Sequence, residues 1–82
     1  KVYPQLLTNV RVSRRVPLAD LPAFQSELAR AERLLKDSGR VFVRYSGTEP
    51  LLRILVESED RGLTRVLSGT LAETFKREAE GA

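Results

Sequence analysis

The stretch Arg44-Tyr45-Ser46-Gly47-Thr48-Glu49-Pro50-Leu51-Leu52-Arg53 gathers the side chains of this sequence best suited to chemistry. Two guanidinium groups flank a Ser-Gly-Thr turn, and a Glu-Pro pair closes it before an apolar run. Glycine at position 47 is able to take positive φ, which lets neighbouring backbone N–H groups point into one concavity. Such a nest binds anionic oxygens. Ser46 and Thr48 add two hydroxyl donors. Arg44 and Arg53, on either side of the loop, are placed to supply bidentate, charge-assisted bonds. A phosphate monoester has three terminal oxygens, and this donor set suffices to saturate them. On pattern alone, the stretch suits equally well a hairpin loop that uses Ser, Gly and Thr only to turn, between two surface arginines.

The elements that must hold this loop are readable from periodicity. Leu6, Thr8, Val10 and Val12 alternate with Leu7, Asn9, Arg11 and Ser13, the period of two of a half-buried strand. Asp20 reads as an N-cap with Pro22 in the first turn, opening a helix over 20–38. Leu21, Phe24, Leu28, Ala31 and Leu35 form its apolar face. Ser38-Gly39 stops that helix, with Gly39 expected in the left-handed region. Val41 to Arg44 is a short strand, residues 45–50 a loop, and Leu51 to Glu57 another strand. Ser58 or Asp60 caps a second helix over 60–80, with the stripe Leu63, Val66, Leu67, Leu71 and Phe75 and a stop at Gly81.

The order β-α-β-β-α implies an α+β fold: a two-layer sandwich with a small antiparallel sheet and both helices on one face, that of Ile54. The opposite face then carries Leu7, Leu51 and Leu55 beside Arg53, and suits contact with another domain or a ligand.

Composition excludes several classes of chemistry. The chain has 82 residues, enough for a single domain with a limited core. It has no Cys, so thiolate catalysis, disulfides and Cys metal sites are absent, which fits a reducing cytoplasm. It has no His, the usual general base and commonest metal ligand. No apolar run approaches a membrane span, so no membrane partner is expected. There is no Met, even at position 1, which predicts that the chain is cut from a longer protein. The net charge is +3, and acids alternate with bases on both predicted helices. A small basic nucleic-acid-binding module is the alternative from a different class. The aromatics argue against it: there are five, and Phe24 and Phe75 fall on core stripes, which leaves no stacking platform. A purely structural interaction domain is a third possibility, on the outward-facing leucines.

The segment GRVFVRYSGTEPLLRILVESED, residues 39–60, resembles the C-terminal phosphate-binding segment of the α-D-phosphohexomutases. YPQLLTNVRV, residues 3–12, resembles the opening of the same domain in the bacterial phosphoglucosamine branch. The resemblance runs from Tyr3 to about Asp60, with a compatible helix beyond. It implies a TATA-box-binding-protein-like fold and the last of four domains of an isomerase. That enzyme moves a phosphoryl group between the 1- and 6-positions of a hexose phosphate, such as glucosamine 6-phosphate, through a bisphosphorylated intermediate. Phosphomannomutase or phosphoglucomutase remains the alternative branch. Position by position, the resemblance makes Arg44, Ser46, Gly47 and Thr48 the substrate-phosphate loop and Arg53 a second phosphate-contacting arginine. Glu49 and Pro50 match the motif and are assigned to loop shape, Glu49 pointing away from the phosphate or bracing an arginine. Tyr45 is assigned no role. The family's phosphoserine, its Mg²⁺-binding aspartate loop and its sugar-recognition loop belong to the three other domains. This chain is therefore expected to hold no catalytic residue and no metal, and to be inactive alone. Its expected partners are the amino-sugar phosphate and those three domains.

Overall fold

The computed structural model describes residues 3–80. Strand β1 spans Gln5–Arg11, helix α1 Pro22–Leu35, strand β2 Gly39–Tyr45, strand β3 Leu51–Ser58 and helix α2 Arg61–Phe75. Short 3-10 turns, Leu18–Asp20 and Lys36–Ser38, flank α1, and a π-turn, Lys76–Glu80, follows α2. The expected β-α-β-β-α order is present. The sheet is antiparallel with order β1-β3-β2, so the strand carrying Arg53 lies in the centre. The expected stop of the second helix at Gly81 lies outside the described residues.

Alternation along β3 sets the two faces. Leu52, Ile54 and Val56 are fully buried, whereas Leu51, Arg53, Leu55 and Glu57 are half-buried. Both helices cover the Ile54 face: α2 packs on β3 and β1, α1 on β2, and the helices against each other. Phe24, Ala31, Leu35, Leu67, Leu71 and Phe75 close the core over Val10, Val12 and the β3 residues. Phe24 and Phe75 meet edge to face at 5.7 Å, an arrangement that suits the ring quadrupoles. The expected two-layer α+β sandwich with one bare sheet face is what forms.

Three local expectations are corrected. Asp20 is not the N-cap of α1. It lies in the preceding 3-10 turn, and the cap position falls to Leu21, which has no capping side chain. The Glu78 carboxylate takes over that task from the far end of the chain, accepting from the backbone N–H groups of Ala23 and Phe24 at 2.9 and 2.8 Å. Gly39 is not left-handed: its φ is 179°, and the positive φ after α1, 46°, is at Lys36. Gly39 is required by crowding, since a Cβ there would sit 2.2 Å from the Glu57 carbonyl oxygen and 2.8 Å from the Ser58 Cβ. Val66 is 61% exposed rather than in the apolar stripe. At 100° per residue it falls on the far side of α2 from Thr64, Ser68 and Leu71, which are buried. Of the two candidate caps for α2, Asp60 fills the position, accepting from the Leu63 N–H at 3.0 Å. Ser58 stays beneath it, its hydroxyl bonded to the Asp60 backbone.

Candidate functional site

The register places the site. On the bare sheet face, Arg53 stands opposite Arg44 of β2 and Asn9 of β1. One row along, Leu55 stands between Phe42 and Leu7, and one row further Glu57 stands between Arg40 and Gln5. Arg40 and Glu57 pair at 3.6 Å, and Gln5 donates to the same carboxylate at 3.1 Å. The nearest carboxylate along this face is therefore already occupied. Neither Arg44 nor Arg53 has an ion pair or hydrogen bond among the described residues, and the Arg53 Nε is buried without a partner. Two like charges directly opposite each other on paired strands destabilise the pairing unless something neutralises them.

The β2–β3 loop lies at the same end. The Ser46 N–H donates to the Leu51 carbonyl at 2.9 Å, and the Leu51 N–H to the Glu49 carbonyl at 2.8 Å, closing a tight turn. Ser46 is buried, and its hydroxyl oxygen accepts from the N–H groups of Thr48 and Glu49 at 3.3 and 3.2 Å. The expected positive φ at Gly47 is not found. The Ser46 side chain reaches into the concavity and satisfies two amides itself, so the turn closes without a left-handed residue. Of the amides from Ser46 to Glu49, that of Gly47 alone has no partner among the described residues. A Cβ on Gly47 would meet nothing within 4 Å, so the space over the loop is open.

Arg44, Ser46, Gly47, Thr48 and Arg53, the five residues singled out by sequence, line one open depression of about 450 Å³, with Tyr45. Arg44 and Arg53 also form the wall between it and a neighbouring depression of about 590 Å³ lined by Gln5, Leu7, Phe42 and Leu55. The site is thus a cationic, hydroxyl-bearing pocket beside a partly apolar one. It suits an anion. It does not suit a metal cation: two guanidinium groups repel one, and among the described residues no cluster of three His, Cys, Asp or Glu stands ready to hold an ion.

Three participants escaped the sequence. Arg15 donates through Nη2 to the Ser46 and Glu49 carbonyls at 2.8 and 3.2 Å. The Tyr45 hydroxyl donates to the Val16 carbonyl at 2.6 Å, while its ring meets Phe75 edge to face at 6.3 Å. Burial raises the Tyr45 pKa above 10.0, and the Glu80 charge adds to the rise. The Val12 N–H donates to the Pro50 carbonyl at 2.9 Å. Nothing in the spacing around Arg14-Arg15 distinguishes the second arginine from the first. Among the described residues the Glu49 carboxylate braces no arginine; the Glu49 backbone carbonyl accepts from Arg15 instead.

A sequence model of the phosphoglucomutase/phosphomannomutase C-terminal domain matches residues 7–73. The chain belongs to this domain family. The phosphoglucosamine mutase of Methylococcus capsulatus is 51% identical over 75 residues, covering 92% of this chain and 17% of that protein. That of Halorhodospira halophila is 49% identical over 80 residues, covering 98% and 18%. The chain thus spans about one-sixth of the length of these curated relatives. In structure, this phosphohexomutase domain superposes on Aspergillus fumigatus N-acetylphosphoglucosamine mutase in complex with GlcNAc-6P and magnesium, with a TM-score of 0.72. That match has 23% identity over 94% of this chain and 16% of the other. It carries the fold and agrees with the two-layer architecture.

Proposed function

We propose that this domain binds the phosphate of a hexose phosphate for a larger phosphohexomutase, a phosphoglucosamine mutase that interconverts glucosamine 6-phosphate and glucosamine 1-phosphate. The observation that carries the reading is the Arg44–Arg53 pair. Two guanidinium groups face each other across adjacent strands without a carboxylate, beside a hydroxyl-bearing loop with one free amide. A dianionic phosphate would neutralise both charges and accept from both forks. The Thr48 hydroxyl and the Gly47 N–H supply further donors at the loop, while Ser46 shapes it. The identity of the relatives supports the phosphoglucosamine branch.

The role follows from the donor set. Guanidinium, hydroxyl and amide donors recognise phosphate oxygens and say little about the sugar. A bisphosphorylated intermediate that must turn end for end needs such a site, which accepts the phosphate on either carbon. Phosphoryl transfer itself, the phosphoserine and the Mg²⁺ are assigned to the remaining domains, together with the cytoplasmic setting such an enzyme would have. Among the described residues, no helix is long and apolar enough to cross a membrane.

The test is an assay of two proteins with glucosamine 6-phosphate, Mg²⁺ and a bisphosphorylated activator. The full-length parent should form glucosamine 1-phosphate, and the 82-residue chain alone should give no turnover above a mock-purified control. A parent without mutase activity on any hexose phosphate, or turnover by the isolated chain, would refute the assignment.

A further inference from the structure

We infer that Arg15 is the positioning residue of the β2–β3 loop: it turns the Gly47 amide toward the ligand by holding the carbonyls at both ends of the turn. The inference deepens the phosphate-binding reading and rests on it for the identity of the ligand. Its geometry stands independently. Arg15 Nη2 is 2.8 Å from the Ser46 carbonyl oxygen and 3.2 Å from that of Glu49. Both acceptors are backbone atoms, so this grip fixes the course of the chain rather than a side-chain rotamer.

Peptide planarity converts that grip into an orientation. In a trans peptide, the C=O of one residue and the N–H of the next point in opposite directions. Drawing the Ser46 carbonyl toward Arg15 therefore turns the Gly47 N–H away from Arg15. Gly47 lines the depression with Arg44 and Arg53, and Arg15 does not. The other amides of the turn, those of Ser46, Thr48 and Glu49, are committed to the Leu51 carbonyl and the Ser46 hydroxyl. Gly47 thus carries the turn's one available backbone donor, and Arg15 sets its direction.

Arg15 is itself held in a braced segment. Ser13 bonds the Glu80 carboxylate through its N–H at 3.2 Å and its hydroxyl at 3.0 Å. The Val16 carbonyl accepts from Tyr45. The loop therefore rests on a segment clamped by the C-terminal turn on one side and by the end of β2 on the other.

The test compares wild type with Arg15→Ala and Arg15→Lys in the 82-residue chain, by amide NMR without ligand and during titration with inorganic phosphate. In Arg15→Ala, the Gly47 and Thr48 amide signals should move before any phosphate is added, with the melting temperature nearly unchanged. Phosphate affinity should fall about tenfold. Arg15→Lys, which keeps donors in reach of the carbonyls, should recover part of both effects. Gly47 and Thr48 signals at their wild-type positions in Arg15→Ala would overturn the inference, whatever happens to phosphate. Shifted signals with no loss of affinity would overturn it as well. If wild type failed to bind phosphate while Arg15→Ala moved the Gly47 amide, the ligand assignment would fall and the orienting role would stand. Should Arg15→Ala not fold, Arg15→Met keeps the apolar stem without donors and is judged by the same readouts. Loss of fold in both would make Arg15 a structural residue and refute the inference.

Discussion

Arg44 and Arg53 differ from Arg30, Arg40 and Arg77 in what they lack among the described residues. Arg30 has Glu27, Arg77 has Glu73 and Arg40 has Glu57, whereas the facing pair has no carboxylate. Like charges facing each other on paired strands cost stability in the free domain, and a bound dianion would offset that cost. In the full-length enzyme, Arg44→Ala and Arg53→Ala should each weaken transition-state binding by about 1.5–3 kcal/mol, the usual worth of hydrogen bonds to charged groups. Measured as kcat/KM, that is about ten- to a hundredfold. Arg→Lys should recover part of the loss, because an ammonium lacks the planar fork. Removing either charge also relieves the cross-strand repulsion, so thermal unfolding of the Ala variants should show no loss of stability and a gain of up to about 1 kcal/mol. Arg30→Ala and Arg65→Ala, at exposed helix positions, should change neither property. Five of the six residues that line the depression stand out in the sequence because they lie within ten positions of one another; the sixth, Tyr45, does not. Nor does Arg15, because the carbonyls it holds are 31 and 34 residues away and carry no residue-type signature.

At the scale of elements, alternation and helical period placed the three strands, the two helices and the shared core face, since burial leaves a local pattern. What the pattern could not carry was any contact between distant segments. Asp20 had the right type and position for a cap, yet the cap of α1 arrives from Glu78, about 55 residues later. Glu78→Ala should therefore destabilise the domain by about 0.5–2 kcal/mol in chemical denaturation, the range for loss of an N-cap. Asp20→Ala should cost far less. The glycines separate in the same way. Gly39 pairs with Ser58 at the sheet edge, where an added Cβ collides with the β3 backbone. Gly69 lies exposed within α2, with open space where a Cβ would go. Gly39→Ala should lower the melting temperature, and Gly69→Ala should raise stability by about 0.5–1 kcal/mol through helix propensity.

Across the whole molecule, the π-turn after α2 ties the fold to the site. Glu78 caps α1, Glu80 holds Ser13, and the segment that follows Ser13 supports the loop through Arg15 and Tyr45. The raised Tyr45 pKa gives this region a pH signature. The folded state holds the phenolic proton more tightly than the unfolded chain does, so the contribution is complete below the ordinary value of 10.0. Above that value it is lost progressively, as pH rises toward the folded pKa. Tyr45→Phe should reduce stability at neutral pH by removing the bond to Val16. It should also flatten the alkaline fall in stability, measured by urea denaturation across pH 9–11. Phosphate recognition by the Arg44–Arg53 pocket is read out by amide NMR of this chain titrated separately with glucosamine 6-phosphate, glucosamine 1-phosphate and glucosamine. Both phosphates should shift signals of residues 44–48 and 53 alike, and glucosamine should shift none of them. Equal shifts with unphosphorylated glucosamine, or phosphate-dependent shifts confined to other residues, would rule out phosphate recognition by this pocket.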